Sequence, residues 1–151
     1  MKIRGFEVVK DEYRKHAELE IQLPTRGSKH SAGYDFYTPV EFTLKPGEKT
    51  IVWTDIKAYM QIGEVLNLYV RSSIGIKKGL VLSNGTGIID QDYYGNESND
   101  GNIGISMLNV SDKIVTIEAG ERVAQGIFLP FLVADGEQVD TERTGGIGST
   151  N

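Results

Sequence analysis

The sequence predicts an all-β domain of the sandwich, barrel or jelly-roll type. Short segments rich in Val, Ile, Tyr, Phe and Thr recur along the 151 residues, and 18 glycines separate them. Apolar and polar residues alternate in residues 50–53 and 113–118, as in half-buried strands. Turn-forming pairs stand between such segments at Pro46-Gly47, Asn84-Gly85 and Ala119-Gly120. Many short strands joined by glycine-rich turns are typical of these folds.

The predicted strands follow one another at short spacing and leave little room for helix. In chain order they cover residues 2–8, 18–23, 32–37, 42–44, 49–53, 56–60, 65–70, 81–83, 87–89, 103–109, 114–117 and 124–131. Residues 11–18 are either a short helix or a polar loop. We find no internal repeat and no linker, so residues 1–139 are expected to form a single β domain. Residues 96–102 and 140–151 are polar or glycine-rich, and we expect both to be mobile.

Composition excludes several classes of function. The net charge of −5 argues against general nucleic-acid binding, although a few arginines in a cleft can still hold a triphosphate. Cysteine is absent and only two histidines occur, which excludes disulfides, thiolate nucleophiles and metal cages built from cysteine or histidine. No apolar run has the length of a membrane span or a signal peptide, so we expect no membrane partner and a cytoplasmic protein.

Residues 84–95, Asn-Gly-Thr-Gly-Ile-Ile-Asp-Gln-Asp-Tyr-Tyr-Gly, are the most informative segment. Taken alone, they favour a hairpin in which Asp90 and Asp92 form a turn and the tyrosines pack. The alternative makes Asp90 a general base that activates a water molecule, beside an aromatic face suited to a sugar or a base. The residues of this segment alone leave both interpretations open.

Other segments are compatible with anion binding, and each has a plain structural alternative. Residues 71–75, Arg-Ser-Ser-Ile-Gly, follow an apolar strand and either bind phosphate or begin an ordinary turn. Arg122 and Gln125 are equally compatible with surface positions, and Asp35 with capping a turn. The glycine-rich residues 144–150 are either a loose terminus or a backbone loop around an anion, and no lysine follows the glycines as it does in a P-loop.

In their order along the chain, these segments resemble the five motifs of the trimeric dUTPase family. The corresponding blocks are residues 31–36, 71–75, 87–95, 120–125 and 143–150. The resemblance implies a distorted jelly-roll-like barrel (β-clip) assembled as a homotrimer, with residues 140–151 as a flexible arm that is exchanged between subunits and closes an active site. It also implies hydrolysis of dUTP to dUMP and pyrophosphate by Mg²⁺-assisted, in-line attack of water on the α-phosphorus. Such a reaction limits uracil incorporation into DNA and supplies dUMP for thymidylate synthesis.

The resemblance also implies roles for individual residues. Asp90 corresponds to the aspartate that positions and activates the attacking water. The positions that match phosphate contacts are Arg71, Ser72, Ser73, Gln125, Arg143, Ser149 and Thr150. The positions that match uracil and deoxyribose contacts are Asn84, Gly87, Ile89, Tyr93 and Ile147, with the Tyr93 ring leaving no room for a 2′-hydroxyl. Mg²⁺ would be held chiefly by the substrate phosphates and water, with Asp35 contacting it only through water.

Some positions depart from the family pattern. Ile147 stands where an aromatic residue usually stacks on uracil, so Ile147→Phe is expected to strengthen arm closure and lower the Michaelis constant for dUTP. Ser73 stands where many members have glycine. Residues 96–102 look like an insertion, for which we expect a solvent-exposed loop, and they are the first candidate for contact with an additional protein partner.

Three other functions are alternatives. A dCTP deaminase shares the implied fold, but it needs a catalytic glutamate on the strand after the third motif, and residues 103–109 contain no carboxylate. A binding protein without turnover is not supported, since the motif residues that carry the reaction are all present. An unrelated β-sandwich interaction domain would leave the order of the motifs unexplained.

Overall fold

The computed structural model describes residues 1–137 and 139–148, which form many short strands and little helix. The strands within these residues are β1 (Gly5–Val8), β2 (Thr25–Arg26), β3 (Tyr34–Tyr37), β4 (Phe42–Leu44), β5 (Lys49–Trp53), β6 (Ile56–Tyr59), β7 (Glu64–Val70), β8 (Leu80–Leu82), β9 (Gly87–Asp90), β10 (Gly104–Asn109), β11 (Val115–Ile117) and β12 (Arg122–Pro130). Short helical segments lie at Asp11–Tyr13, Ser73–Lys78 and Gln91–Tyr93, the second of them of π type. None of the described helices is long and apolar enough to span a membrane.

Strands β12 and β7 occupy the middle of the largest sheet, whose order is β2-β3-β12-β7-β9. A second sheet has the order β5-β10-β8, and β1 pairs with β6 and β11 with β4. All of these pairs are antiparallel. Because neighbours such as β3 and β12 are far apart in the sequence, the chain crosses between sheets and does not form a simple meander. The all-β prediction is confirmed.

Alternate residues of the strands supply the core. In β10, Ile105, Met107 and Asn109 are buried, while the residues between them are only partly buried. In β7, Leu66 and Leu68 are 0% and 2% exposed. Successive side chains of a strand point to opposite faces, so this spacing of two sends one face inward. Buried apolar side chains from both larger sheets join one cluster, and this packing fixes the strand ends that carry the candidate site.

Most predicted strands are confirmed to within a few residues, and β4 and β5 match the predicted ranges. The strand predicted at residues 18–23 is wrong, since these residues, all of them described, form none. Arg14 provides the physical reason, because its Nη2 donates to the carbonyls of His16 and Leu19 at 2.9 and 2.5 Å and closes a turn there. Of the two alternatives for residues 11–18, the helix is reduced to one 3₁₀ turn.

Residues 96–102 do not form the fully solvent-exposed loop that their composition predicted, so that prediction is wrong, while their mobility stays a prediction. Asn96, Asp100 and Asn102 are buried, with 4%, 4% and 0% of their surface exposed. The backbone turns inward through consecutive residues with positive φ, at 56° for Asp100 and 77° for Gly101. Polar residues can be buried where the interior offers them hydrogen-bond partners. Here Lys57 provides a partner for Asp100, and Asp55 provides one for Asn102.

Candidate active site

A cleft of about 420 Å³ is lined by residues of β5, β8, β9 and β10 and by the C-terminal segment. It contains the predicted base, all the residues predicted to contact uracil and deoxyribose, and the arginine of the fifth block, namely Asp90, Asn84, Gly87, Ile89, Tyr93, Ile147 and Arg143. Its volume falls in the ordinary range for small-molecule sites. The motif order therefore predicted which residues share the cleft, while their roles in binding stay predictions.

The β8–β9 connection, which joins strands of two different sheets, forms one wall of the cleft. Its turn is closed by the Gly85 N–H, which donates to the Leu82 carbonyl at 2.9 Å, and Gly85 has φ of 75°, which favours glycine. A Cβ atom at Gly87 would lie 3.0 Å from Cβ of Leu68, so a larger residue would push β9 away from β7. Asn84, in the turn before β9, is exposed and lines the cleft.

Asp90, the last residue of β9, is bound by Arg143. The Nη2 atom of Arg143 donates to Asp90 Oδ2 at 2.6 Å, and its Nε donates to Asp92 Oδ1 at 2.7 Å. The arginine side chain is 13% exposed, whereas the carboxylate side chains of Asp90 and Asp92 are 50% and 55% exposed. The N–H groups that bridge the two carboxylates are occupied, so a phosphate at Arg143 either uses the remaining N–H groups or displaces a carboxylate.

Tyr93 forms a buried part of the cleft wall, with 9% of its surface exposed. Its hydroxyl donates to the carbonyl of Asn102 at 2.5 Å and accepts a hydrogen bond from Asn99 Nδ2 at 2.8 Å. Burial raises the pKa of Tyr93, although the Asn99 hydrogen bond and the charge of Arg143 oppose this. A Cβ atom at Gly146 would lie 3.3 Å from the Tyr93 ring, so the C-terminal segment packs closely over it. The ring is therefore a neutral, fixed surface.

Trp53 is a cleft residue that sequence reasoning missed. It is the only tryptophan of the chain, ends β5 and pairs in register with Gly104 of β10. A Cβ atom at Gly104 would lie 2.8 Å from Cζ3 of Trp53, so the glycine makes room for the indole ring. A single large aromatic residue at the end of a strand is usually a core residue, and only the cross-strand register reveals that this one faces a cleft.

A second polar cluster lies where β7 ends. The Nε of Arg71 lies 3.1 Å from Asp35 Oδ1, and Nη1 of Arg122 lies 3.6 Å from Asp35 Oδ2. Asp35 is only 8% exposed, so its carboxylate holds both guanidinium groups in place. Gln125 pairs in register with Asp35, and its Nε2 donates to the Val70 carbonyl at 3.5 Å. Two guanidinium groups and an amide in one place suit phosphate oxygens.

The serines predicted to contact phosphate follow Arg71 directly. Ser72 is exposed and Ser73 is partly buried, and they lead into the π-helical segment. Their position beside Arg71 places both at the second cluster. Ser149 and Thr150, also predicted to contact phosphate, lie outside the described residues.

The two clusters lie at opposite ends of β7. Asp90 pairs with Val65 near the start of the strand, whereas Val70 pairs with Ala124 at its end and Arg71 follows. Arg71 comes six positions after Val65, which corresponds to roughly 20 Å at about 3.3 Å per residue. The structure thus places the cleft residues, Arg143 among them, at one site and Arg71, Ser72, Ser73 and Gln125 at another, and a single chain does not join the two sites.

Within residues 1–137 and 139–148, no group of three or more His, Asp or Glu side chains is placed to hold a metal ion. Asp90 and Asp92 stand together in the cleft region, but Arg143 bridges them. Mg²⁺ requires oxygen ligands, commonly keeps several waters and often takes the rest from substrate phosphates. The described residues fit an ion of that kind only when other oxygens complete its coordination.

Comparison with known proteins identifies the family. A family model for dUTPase matches residues 19–150. The chain belongs to the dUTPase family. It is 53% identical over 152 aligned residues to the deoxyuridine 5′-triphosphate nucleotidohydrolase of Lactococcus lactis, with 99% of each chain covered. It is 37% identical over 132 residues to the Mus musculus protein of the same name, covering 84% of this chain and 76% of the mouse chain.

Solved dUTPase structures share the fold. The crystal structure of the dUTPase from Streptococcus mutans is 48% identical in sequence, with a TM-score of 0.75, and the match covers 87% of this chain and 99% of that one. A dUTPase from phage phi11 of S. aureus gives a TM-score of 0.72 at 23% identity, over 93% of this chain and 97% of that one, which supports the fold alone. A mutant of the phage enzyme is described with a coordinated structural Mg(II) ion. The jelly-roll-like fold is confirmed, and the unrelated β-sandwich is wrong.

Proposed function

We propose that the chain hydrolyses dUTP to dUMP and pyrophosphate in active sites that form between the subunits of a homotrimer. The observation that supports a shared site is the separation of the Asp90 cleft from the Arg71 cluster along β7. The base-binding and water-activating residues occupy one end of this strand, and the residues suited to phosphate occupy the other. Both sets serve one nucleotide only when different copies of the chain supply them.

One nucleotide does not reach both clusters of the same chain. Asp90 has to lie within hydrogen-bond reach of the water that attacks the α-phosphorus. Arg71 has to contact oxygens of the same triphosphate. A separation of roughly 20 Å along β7 exceeds those contact distances several-fold. A second copy that places its Arg71 cluster beside the first copy's Asp90 removes the difficulty, and heterologous contacts of this kind close into a ring.

An exposed apolar stretch also supports contact between copies. Phe131, Leu132 and Val133 follow β12 and are 47%, 97% and 66% exposed. Contiguous exposed apolar residues are typical of interaction surfaces. The stretch leads towards the C-terminal arm, so a copy bound here is well placed to receive that arm. The arm then carries Arg143 to a site formed by neighbouring subunits.

In such a site the chain's own residues position the reactants and balance charge. Arg143 moves from Asp90 to the γ-phosphate, and Asp90 then accepts a proton from the attacking water. Arg71 and Gln125 hold phosphate oxygens whose charge shifts in the transition state. Asp35 keeps the Arg71 guanidinium oriented for this task. When Mg²⁺ is bound by the phosphates and water, it neutralises part of the triphosphate charge.

The cleft accounts for a uracil deoxynucleotide as the substrate. Asn84 and the backbone of the β8–β9 connection recognise the uracil edge, and cytosine would leave buried donors or acceptors unpaired. The Tyr93 ring lies beneath the deoxyribose. We place the enzyme in the cytoplasm, because a cysteine-free chain suits a reducing compartment, and there the reaction limits uracil incorporation into DNA.

The first test measures pyrophosphate release with Mg²⁺ from dUTP, dCTP, dTTP and UTP. We expect release from dUTP alone, and we expect Asp90→Asn and Arg71→Ala each to abolish it. Both variants are then co-expressed with different tags, and mixed assemblies are purified. Each purified mixed trimer should have about one third of the wild-type sites restored, because a site needs one intact residue from each of two copies and only one of the three interfaces combines them.

No recovery in the mixed assemblies would overturn the shared site. The same experiment with Asp90→Asn and Arg143→Ala tests exchange of the arm. Recovery supports exchange, whereas no recovery places Arg143 in the site of its own Asp90, as in the contact seen within this chain. A wild type that releases no pyrophosphate from dUTP would contradict the reaction itself.

A further inference from the structure

Residues 96–102 contact Tyr93, whose ring lines the cleft. The Nδ2 of Asn99 donates to the Tyr93 hydroxyl at 2.8 Å, and that hydroxyl donates to the carbonyl of Asn102 at 2.5 Å. A tyrosine hydroxyl has a single proton, so the bond to Asn102 occupies its only donor. The hydroxyl is therefore not available to donate to a ligand, and two groups of one segment fix its position.

The orientation of the Asn99 amide is itself fixed. Its Oδ1 accepts hydrogen bonds from Nδ2 of Asn96 at 2.9 Å and from the Gly101 N–H at 3.0 Å. A flipped amide would turn its NH₂ group towards these two donors and its oxygen towards the Tyr93 hydroxyl. The segment therefore specifies that Asn99 presents a donor to Tyr93.

The segment is attached to the interior at two further residues. Asp100 Oδ2 accepts hydrogen bonds from Lys57 Nζ at 2.8 Å and from the Lys10 N–H at 2.9 Å. The side-chain amide of Asn102 accepts a hydrogen bond from the Asp55 N–H and donates to Asp55 Oδ1, both at 2.9 Å. Moving these buried groups would break their hydrogen bonds and destabilise the fold, so they form a rigid support. Asn99 directly precedes the first of these anchors.

We propose that Asn99 is a positioning residue that, through Tyr93, makes the enzyme select deoxyribose over ribose. This inference rests on the proposed function, in which the Tyr93 ring lies beneath the sugar. A fixed ring leaves no room for a 2′-hydroxyl. The Tyr93 hydroxyl already donates its proton to Asn102, so it cannot donate a compensating hydrogen bond to the 2′-hydroxyl. Without the Asn99 donor the ring is held only at Asn102, and it tilts more easily to admit UTP.

The test compares kcat/KM for UTP and dUTP in variants of the full-length enzyme. Asn99→Ala should raise the ratio of UTP to dUTP by about fivefold to tenfold, the size expected for loss of one hydrogen bond. Asn99→Asp keeps the shape of the side chain and the acceptor for Gly101, but it replaces the donor to Tyr93 with an acceptor, and it should raise the ratio as well. Glu97→Ala, on the exposed side of the same segment, is the matched control and should leave the ratio unchanged.

A double-variant cycle checks that Asn99 acts through Tyr93. Tyr93→Phe keeps the ring and removes the hydroxyl, so adding Asn99→Ala to it should change the ratio no further. A purely structural role would lower kcat/KM for both substrates equally. Equal losses in both Asn99 variants, with the ratio of the wild type retained, would overturn the inference. A wild type without activity on dUTP would instead overturn the proposed function, so the two failures are distinguishable.

Discussion

Replacing Asp55 with asparagine should destabilise the fold strongly, although the two side chains have the same shape. Asp55 is fully buried, with 0% of its surface exposed. Its Oδ1 accepts from the Lys15 N–H at 2.8 Å and from Asn102 Nδ2 at 2.9 Å, and its Oδ2 accepts from the His16 N–H at 2.8 Å. Arg14 Nε lies 3.5 Å from Oδ2. One carboxylate thus joins the N-terminal segment to the loop that supports the cleft.

The magnitude follows from which oxygen the new NH₂ group replaces. In place of Oδ1 it would break two hydrogen bonds, whereas in place of Oδ2 it breaks only the one from the His16 N–H and weakens the ion pair with Arg14, so we expect it in place of Oδ2. Losing one partner of a buried ion pair costs about 3–5 kcal/mol, and the unsatisfied N–H contributes to that loss. Asp55 has φ of 59°, which both aspartate and asparagine tolerate, so the backbone adds little. For a chain of this size the melting temperature should fall on the order of 10 °C.

Urea unfolding at one fixed protein concentration measures the change, because subunit association makes apparent stability depend on concentration. The matched control is Asp112→Asn, the same chemical change at an exposed residue, which should stay within about 0.5 kcal/mol of the wild type. If Asp55→Asn is as stable as Asp112→Asn, the buried carboxylate does not hold the two segments together and the reasoning is refuted.

Two further predictions follow from other contacts. A Cβ atom at Gly33 would collide with the Gln125 side chain, so Gly33→Ala should reduce pyrophosphate release about 100-fold with the fold intact, whereas Gly27→Ala, which makes only ordinary contact, should not. Burial raises the pKa of Asp100, but hydrogen bonds from Lys57 and from a backbone N–H outweigh this and hold the pKa below its ordinary 3.8. The pair therefore stabilises the fold above about pH 4 and loses that contribution as the pH falls through the lowered pKa. Lys57→Met should cost about 3–5 kcal/mol in urea unfolding at pH 7 and less at pH 3, and an equal loss at both pH values would contradict this.

The sequence predicts local structure well where the signal itself is local. β4 and β5 are recovered because alternating side chains flank the Pro46-Gly47 turn, and a period of two needs no knowledge of distant residues. Residues 96–102 are different, because their burial depends on Lys57 and Asp55, 43 and 47 positions away. Composition predicted a solvated loop from polarity alone, and only the tertiary structure shows that these polar groups have buried partners.

The candidate site also has features that the sequence predicted and features that it could not predict. The ordered motifs resemble those of one family, and that resemblance predicted residues that line the cleft. The partners of the charges could not be predicted, because Arg143 and Asp90 are 53 positions apart and meet only in the folded chain. Asp35 was predicted to contact a metal through water, yet it is engaged with Arg71 and Arg122, a pairing that depends on the strand order.

Burial separates the ion pairs of this protein into two kinds. Lys57 and Asp100 lie 2.8 Å apart with side chains only 9% and 5% exposed, so separating them would leave uncompensated charges in the interior. Arg143 and Asp90 lie 2.6 Å apart, but the aspartate side chain is 50% exposed, so water can replace the arginine at little cost. The first kind of pair suits a permanent support for the cleft, and the second suits the proposed movement of Arg143 from a carboxylate to a phosphate.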